Sequence, residues 1–89
     1  MKATIDISLY PLHSQYKDEI IYFVQQLKKQ KTLKVAVNGM STQIFGDYDD
    51  LMSIMQQEMK QLLMKTRAVF VLKITSDEMT MESLPEVLK

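Results

Sequence analysis

Asn38-Gly39 stands near the middle of the chain, between two short stretches rich in β-formers. Asn-Gly is the strongest short-range signal for a two-residue type I′ turn, in which both central positions need φ > 0. The pair therefore predicts an antiparallel hairpin joining a strand at about 33–38 to one at about 40–46. Leu33, Val35 and Val37 share one face of the first of these strands. If Val37 and Met40 face each other across the turn, then Met40, Thr42 and Ile44 share Val37's face. Ser41, Gln43 and Phe45 then join Ala36 on the other face. A bulge at Gly39 would invert this parity.

The flanking segments complete the order. Residues 3–10 (Ala3-Thr4-Ile5-Asp6-Ile7-Ser8-Leu9-Tyr10) alternate with period two, the mark of a half-buried strand, and Pro11 ends it. Ile5, Ile7 and Leu9 point one way; Thr4, Asp6, Ser8 and Tyr10 point the other. Ser14 is the expected N-cap of a helix over about 15–30, whose stripe is Tyr16, Ile20, Phe23, Val24 and Leu27. Asp18 and Glu19 in the first turn and Lys28, Lys29 and Lys31 at the end suit the helix dipole. Asp47 caps a second helix, striped by Leu51, Met52, Met55, Met59, Leu62 and Leu63 through about 64. A last strand spans 68–75, and Ala68-Val69-Phe70-Val71-Leu72 is apolar at every position, which predicts burial on both faces. The order βαββαβ with right-handed connections is the α+β ferredoxin-like two-layer sandwich: a four-stranded antiparallel sheet with two helices on one face. Residues 1–76 form the domain. Residues 77–89 form an acidic, mildly amphipathic tail that either docks as a short helix or frays.

Composition narrows the function classes. The chain has 89 residues, and eleven basic and eleven acidic side chains cancel. That balance offers no electrostatic argument for nucleic acid or an anionic membrane. No cysteine is present, which removes disulfides, thiol nucleophiles and thiolate metal sites together. The charged first twenty residues contain no signal-peptide core, and no apolar run approaches the ~20 residues that span a bilayer. The expectation is a soluble cytoplasmic protein.

Two helices cover only one face of such a sheet. Val69, Val71, Tyr10 and Phe45 put apolar surface on the other, and monomers rarely leave patches of more than a few hundred Å² exposed. A second copy of the chain is the expected cover, with a folded-back tail as the alternative. Asp6 and Ser8 sit mid-strand on that face, where a carboxylate needs partners. They read either as ligand contacts or as a solvated or interface-paired polar face. A carboxylate or side-chain amide can meet the amino donor and ring nitrogen of an aminopyrimidine together, and hydroxyls adapt to either role. Tyr10 and Phe45 could sandwich such a ring or simply pack at an interface. Met52, Met55 and Met59 read as core, whereas Met40 at the turn could form a soft pocket wall. His13 reads as a solvated loop residue, Asp47, Asp49 and Asp50 as helix-capping carboxylates, and Arg67 and Lys73 as surface cations with phosphate contact as the alternative. No nucleophile–base pair, Gly-rich phosphate loop or metal constellation stands in the sequence. The expectation is a protein that is not an enzyme and needs neither metal nor cofactor.

Ile7-Ser8-Leu9-Tyr10-Pro11-Leu12, together with the stretch from Asn38 to Gly46 followed by Asp47-Tyr48-Asp49, resembles the small thiamine- and hydroxymethylpyrimidine-binding proteins (YkoF-like) over about residues 2–75. The resemblance implies a ferredoxin-like protomer that pairs through its sheet into dimers or tetramers. It also implies binding of thiamine or its pyrimidine precursor rather than its transformation. Some members carry two such domains in one chain; this chain would build that arrangement by association. Carried across, the ligand lies over the polar face of the first and third strands, near a subunit interface. Asp6, Ser8, Asn38, Ser41, Thr42 and Gln43 would supply polar contacts, Tyr10 and Phe45 aromatic ones, and Gly39 and Met40 the turn beside them. The lack of a polyphosphate cradle leans against thiamine diphosphate. The competing reading is a regulatory or assembly module whose open face mediates homo-oligomerisation without a small ligand. An acylphosphatase-like activity would need an anion cradle with a positioned arginine, where Pro11-Leu12-His13-Ser14 stands instead. An RNA-binding module would need paired aromatics and a basic flank that are missing.

Overall fold

Alternation along the first strand decides how the sheet sits. A computed structural model describes residues 1–14, 16–79 and 85–88. In it β1 (Lys2–Pro11) sends Ala3, Ile5 and Ile7 into the core. The chain continues through α1 (Tyr16–Lys28), β2 (Lys34–Val37), β3 (Thr42–Asp47), α2 (Tyr48–Lys65) and β4 (Ala68–Ser76), and Glu86–Leu88 form a single 3-10 turn. The strands pair antiparallel in the order β2-β3-β1-β4. Both helices lie on one face, and the fold is the α+β ferredoxin-like sandwich expected from the element order. Phe23 and Leu27 of α1, with Leu51, Met55 and Leu62 of α2, close over Ile5, Ile7 and Ile44. No helix among the described residues is long and apolar enough to cross a membrane.

The hairpin departs from its expected type. Val37 pairs with Thr42, and Asn38 N–H donates to the Ser41 carbonyl at 3.1 Å. Gly39 and Met40, not Asn38 and Gly39, therefore occupy the centre of the turn. No hairpin residue has positive φ, so the turn is not type I′. The reason lies in the Asn38 side chain, whose Oδ1 accepts from Met40 N–H at 2.7 Å and Ser41 N–H at 2.9 Å. Asparagine acts here as an Asx cap opening the turn rather than as a left-handed central residue. The register moves two residues from the one expected, and an even shift preserves every face assignment. Val35 and Val37 face the helices with Ile44 and Thr42, while Ala36 and Gln43 face away.

Two further expectations change. β4 is an edge strand bonded only to β1, so it is not buried on both faces. Phe70 packs on the core and meets the Phe23 ring at 5.3 Å, but Val69, Val71, Leu72 and Ile74 keep much of their surface. On α2, Leu51, Met55 and Leu62 are buried and Met59 packs against the core, but Met52 and Leu63 are exposed. They overhang the uncovered edge and line, with Leu72, an apolar groove of about 620 Å³. The Asp47 cap holds, with Oδ2 accepting from Asp49 N–H at 3.3 Å. α1 begins at Tyr16, and the residue before it lies outside the described residues, with the expected Ser14 cap left at its border. Residues 80–84 and 89 of the tail expected to dock as a helix also lie outside them.

Gly46 marks a tight crossing. A Cβ there would come within 2.8 Å of Leu33 Cδ2 and 3.2 Å of the Thr32 carbonyl oxygen. Gly46→Val is expected to lower stability by about 1–3 kcal/mol through overpacking. Urea unfolding checks this, and an unchanged midpoint would mean that the segment before β2 yields freely.

Candidate functional site

The strand register sorts the uncovered face into rows running across the sheet. Thr75, Thr4, Phe45 and Lys34 form the first row, and Lys73, Asp6, Gln43 and Ala36 the second. Val71 opposite Ser8 continues into a third row, which Ser41 extends at the hairpin, and Val69 opposite Tyr10 forms the fourth. Successive rows stand two residues apart along a strand, about 6.6 Å at ~3.3 Å per residue.

The middle of the first row is covered by the chain itself: Thr4 is buried, whereas Thr75 and Lys34 at its ends are exposed. Asp77, in a left-handed conformation (φ 66°), turns the chain back from β4, and its N–H donates to the Lys2 carbonyl at 3.1 Å. The buried Thr4 hydroxyl donates to the Asp77 carbonyl at 2.6 Å and accepts from Met79 N–H at 3.1 Å. Lys34 Nζ meets Glu78 Oε1 at 2.8 Å. Residues 77–79 thus fold back from the end of β4 over β1 as a strap, and the Glu78–Lys34 pair links it to β2.

The second row floors a depression of about 260 Å³ lined by Thr4, Asp6, Gln43, Lys73, Thr75 and Met79. Within it Asp6 is oriented from one side, since Ser41 Oγ donates to Asp6 Oδ1 at 2.6 Å. A short hydrogen bond to a carboxylate is among the stronger neutral-to-ion contacts, and it holds the rotamer. Gln43 sits directly across on β3 and Lys73 directly across on β4. Acceptor, amide and cation therefore share one line on the two central strands and an edge strand. That line can pair with a small heterocycle that presents donors and acceptors along one edge. None of the described residues forms a cluster able to hold a metal ion.

The sequence-derived residues divide between this depression and its surroundings. Asp6 and Gln43 line it, with Ser41 fixing Asp6. Ser8 lies one row on, its hydroxyl donating to the Met40 carbonyl at 3.4 Å. Thr42 points the other way, opposite Ile7 on the helix face. Ser8, Asn38, Gly39, Met40, Ser41 and Thr42 line a second, smaller cavity of about 130 Å³ between the hairpin and α1, floored by Ile7, Leu9, Phe23 and Val24. Tyr10 and Phe45 are not brought together. Phe45 pairs with Thr4, six residues along β1 from Tyr10, about 20 Å at the usual rise. Within one chain they cannot sandwich a ring.

Other residues find ordinary settings. His13 Nε2 lies 3.9 Å from Glu19 Oε1 and is partly shielded rather than solvated. Sequence reasoning missed Thr4, Thr75 and Met79. The only signal was the acidic Asp77-Glu78 pair just after β4, opposite in charge to Lys34 on the far edge strand.

Comparison with known proteins follows the fold. The sequence model of one family, described as thiamine-binding protein, matches residues 5–87. Among solved structures, a protein of Streptococcus pneumoniae has a TM-score of 0.79 at 24% identity, covering 99% of this chain and 98% of its own. A hypothetical protein of Methanocaldococcus jannascii has a TM-score of 0.75 at 28% identity, over 91% of this chain and 89% of its own. A Thermotoga maritima protein, assigned provisionally to thiamine biosynthesis or salvage, has a TM-score of 0.79 at 20% identity, over 92% of both chains. No curated protein matches.

Proposed function

The chain belongs to the thiamine-binding protein family, and from that premise we propose that it is a non-catalytic binding protein for thiamine or its hydroxymethylpyrimidine moiety. The observation that carries the reading is Asp6, held by Ser41 at 2.6 Å beside Gln43 on the floor of the open-face depression. The outer carboxylate oxygen accepts from the pyrimidine amino group, and the Gln43 amide donates to the adjacent ring nitrogen. The family name and the assignment of the Thermotoga maritima protein support the ligand class.

The site would lie near a subunit interface. Tyr10, Val69 and Val71 are 54%, 47% and 52% exposed and adjoin the depression. A second copy laid on this face would bury them and close the site, giving a dimer or a tetramer. Vitamin handling in the cytoplasm is the setting this reading implies.

One observation favours a different seat for the same ligand. The hairpin cavity is close to the ~150 Å³ that takes benzene, and its apolar floor and hydroxyl-bearing rim suit one polar ring. Titration calorimetry with hydroxymethylpyrimidine, thiamine and thiamine diphosphate tests the function, and one variant separates the seats. Saturable heat from the first two ligands is expected. Thr42→Val is expected to leave their affinity within about twofold, because the open-face seat does not use it. A loss of about tenfold or more, a buried hydrogen bond being worth ~1.4 kcal/mol, would move the ligand to the hairpin cavity. No heat from any compound would leave the homo-oligomeric assembly module as the better reading.

A further inference from the structure

Resting on the open-face seat, we propose that the strap Asp77–Met79 is a wall of the binding site and sets the direction in which a bound ring points. Its substituent leaves over Ser8 and Val71 toward Tyr10 and Val69, and Met79 packs on the ring itself.

The strap is fixed from three sides. Asp77 N–H is tied to Lys2, Thr4 Oγ1 serves both Asp77 and Met79, and Glu78 is paired with Lys34. Thr4 is 5% exposed and β-branched, so its hydroxyl has little rotamer freedom to give up either bond. These ties place Met79 at the edge of the depression, beside Asp6 and Gln43. Its thioether can lie against an aromatic ring held by those two polar groups, a contact type that sulfur makes favourably.

Direction follows from what the rows leave open. Toward Thr4, at the middle of the first row, the path is closed by the strap, which is bonded to the Thr4 hydroxyl at two points. Toward the third row it runs over Ser8, a small side chain, and Val71, then reaches Tyr10 and Val69 at the fourth. The fourth row lies about 13 Å from Asp6 along β1 at ~3.3 Å per residue. A second ring attached to the first through one carbon atom spans much of that distance and would end on apolar surface. The site thus distinguishes two ligand classes by different residues: Met79 reads the bare pyrimidine, and Tyr10 reads whatever the pyrimidine carries.

The test is titration calorimetry of the full chain with hydroxymethylpyrimidine and with thiamine, using Met79→Ala, Thr4→Val and Tyr10→Ala. Met79 is more than half exposed, so Met79→Ala is expected to fold, and melting curves check each variant. Met79→Ala is expected to weaken both ligands equally, by about three- to tenfold. Thr4→Val, which releases the strap, is expected to weaken both at least as much. Tyr10→Ala is expected to weaken thiamine severalfold and leave hydroxymethylpyrimidine unchanged. Should wild type bind, lose affinity on Asp6→Ala, and yet match Met79→Ala and Thr4→Val, the strap inference fails while the seat stands. Equal loss of both ligands in Tyr10→Ala would overturn the direction. If wild type binds neither ligand, or binds both equally well after Asp6→Ala, the seat fails and the strap's role fails with it.

Discussion

Ile5→Ala is expected to remove about 3–4 kcal/mol of stability, within the range for deleting a buried branched side chain. Ile5 is fully buried at the centre of β1, between Ile44 on β3 and Ile74 on β4. Hydrogen bonds to strands on both sides hold its backbone, so the sheet cannot close over the lost volume. The helices above are kept apart by Leu27, Leu51 and Met55, which are themselves fully buried. A chain of this size has a total stability of roughly 4–13 kcal/mol at ~0.05–0.15 kcal/mol per residue. One substitution would therefore remove a quarter or more of it. Ile74→Ala gives the internal control, because Ile74 lies on the same row but on an edge strand and is half exposed. Its loss is expected to stay below about 1.5 kcal/mol. Urea unfolding of both variants, read as midpoint shifts at constant slope, makes the comparison. If the two variants lose the same amount, or Ile5→Ala falls below the ~2 kcal/mol lower end for such deletions, the packing argument for β1 is wrong.

Asp6→Ala is expected to weaken hydroxymethylpyrimidine and thiamine by roughly 10- to 150-fold, the equivalent of a hydrogen bond to a charged group at ~1.5–3 kcal/mol. The fold should survive. Asp6 is only partly buried, and the Ser41 hydroxyl that loses its acceptor lies at the rim of the hairpin, where water can replace it. Asp6→Asn keeps shape and one acceptor, so an intermediate loss is expected. The check is calorimetry on variants whose melting temperature stays within a few degrees of wild type. Unchanged affinity in a folded Asp6→Ala protein removes Asp6 from the site, and the proposed seat goes with it. Ser41→Ala is the companion variant, since Ser41 acts through Asp6. It should lower affinity less than Asp6→Ala and leave the order of ligand preference intact.

The seat proposed for the ligand and the exposed rows beside it are parts of one surface. Asp6 and Gln43 provide polarity at the middle of the sheet, while Tyr10, Val69 and Val71 leave apolar area exposed beside them, which the proposed second copy would cover. Interfaces that are stable on their own bury about 800 Å² per partner. Three side chains fall short of that, so a closed site would need neighbouring surface on β4 as well.

Period-two patterning in β1 was enough to say which side chains face the helices, because the pleat gives a strand only two faces. The same parity argument survived an error in the hairpin. The Asn-Gly signal led to a type I′ turn, yet the Asn38 side chain captured two backbone N–H groups and moved the turn on. An odd slip would have inverted every residue of β3; this slip was even. For β4 the reasoning failed differently. A run of apolar residues looks the same whether a strand is central or lies at an edge whose apolar face is left uncovered, and only the strand order separates the two. Tyr10 and Phe45 likewise shared a face by parity while the register set them about 20 Å apart.

What the sequence determined by itself was local and periodic: the elements, their order, the buried face of each strand, the Asp47 cap, and a polar line on the face left open. These follow from spacing along one chain. The tertiary structure decided what depends on contacts between residues far apart in sequence. It set Gln43 and Lys73 on either side of Asp6, aimed Thr42 at the helices, and tied the segment after β4 to Thr4 across 73 positions of sequence. A hydroxyl that donates to one residue of a strap and accepts from another leaves no periodic trace, so Met79 could not be placed beside Asp6 until the chain was seen folded.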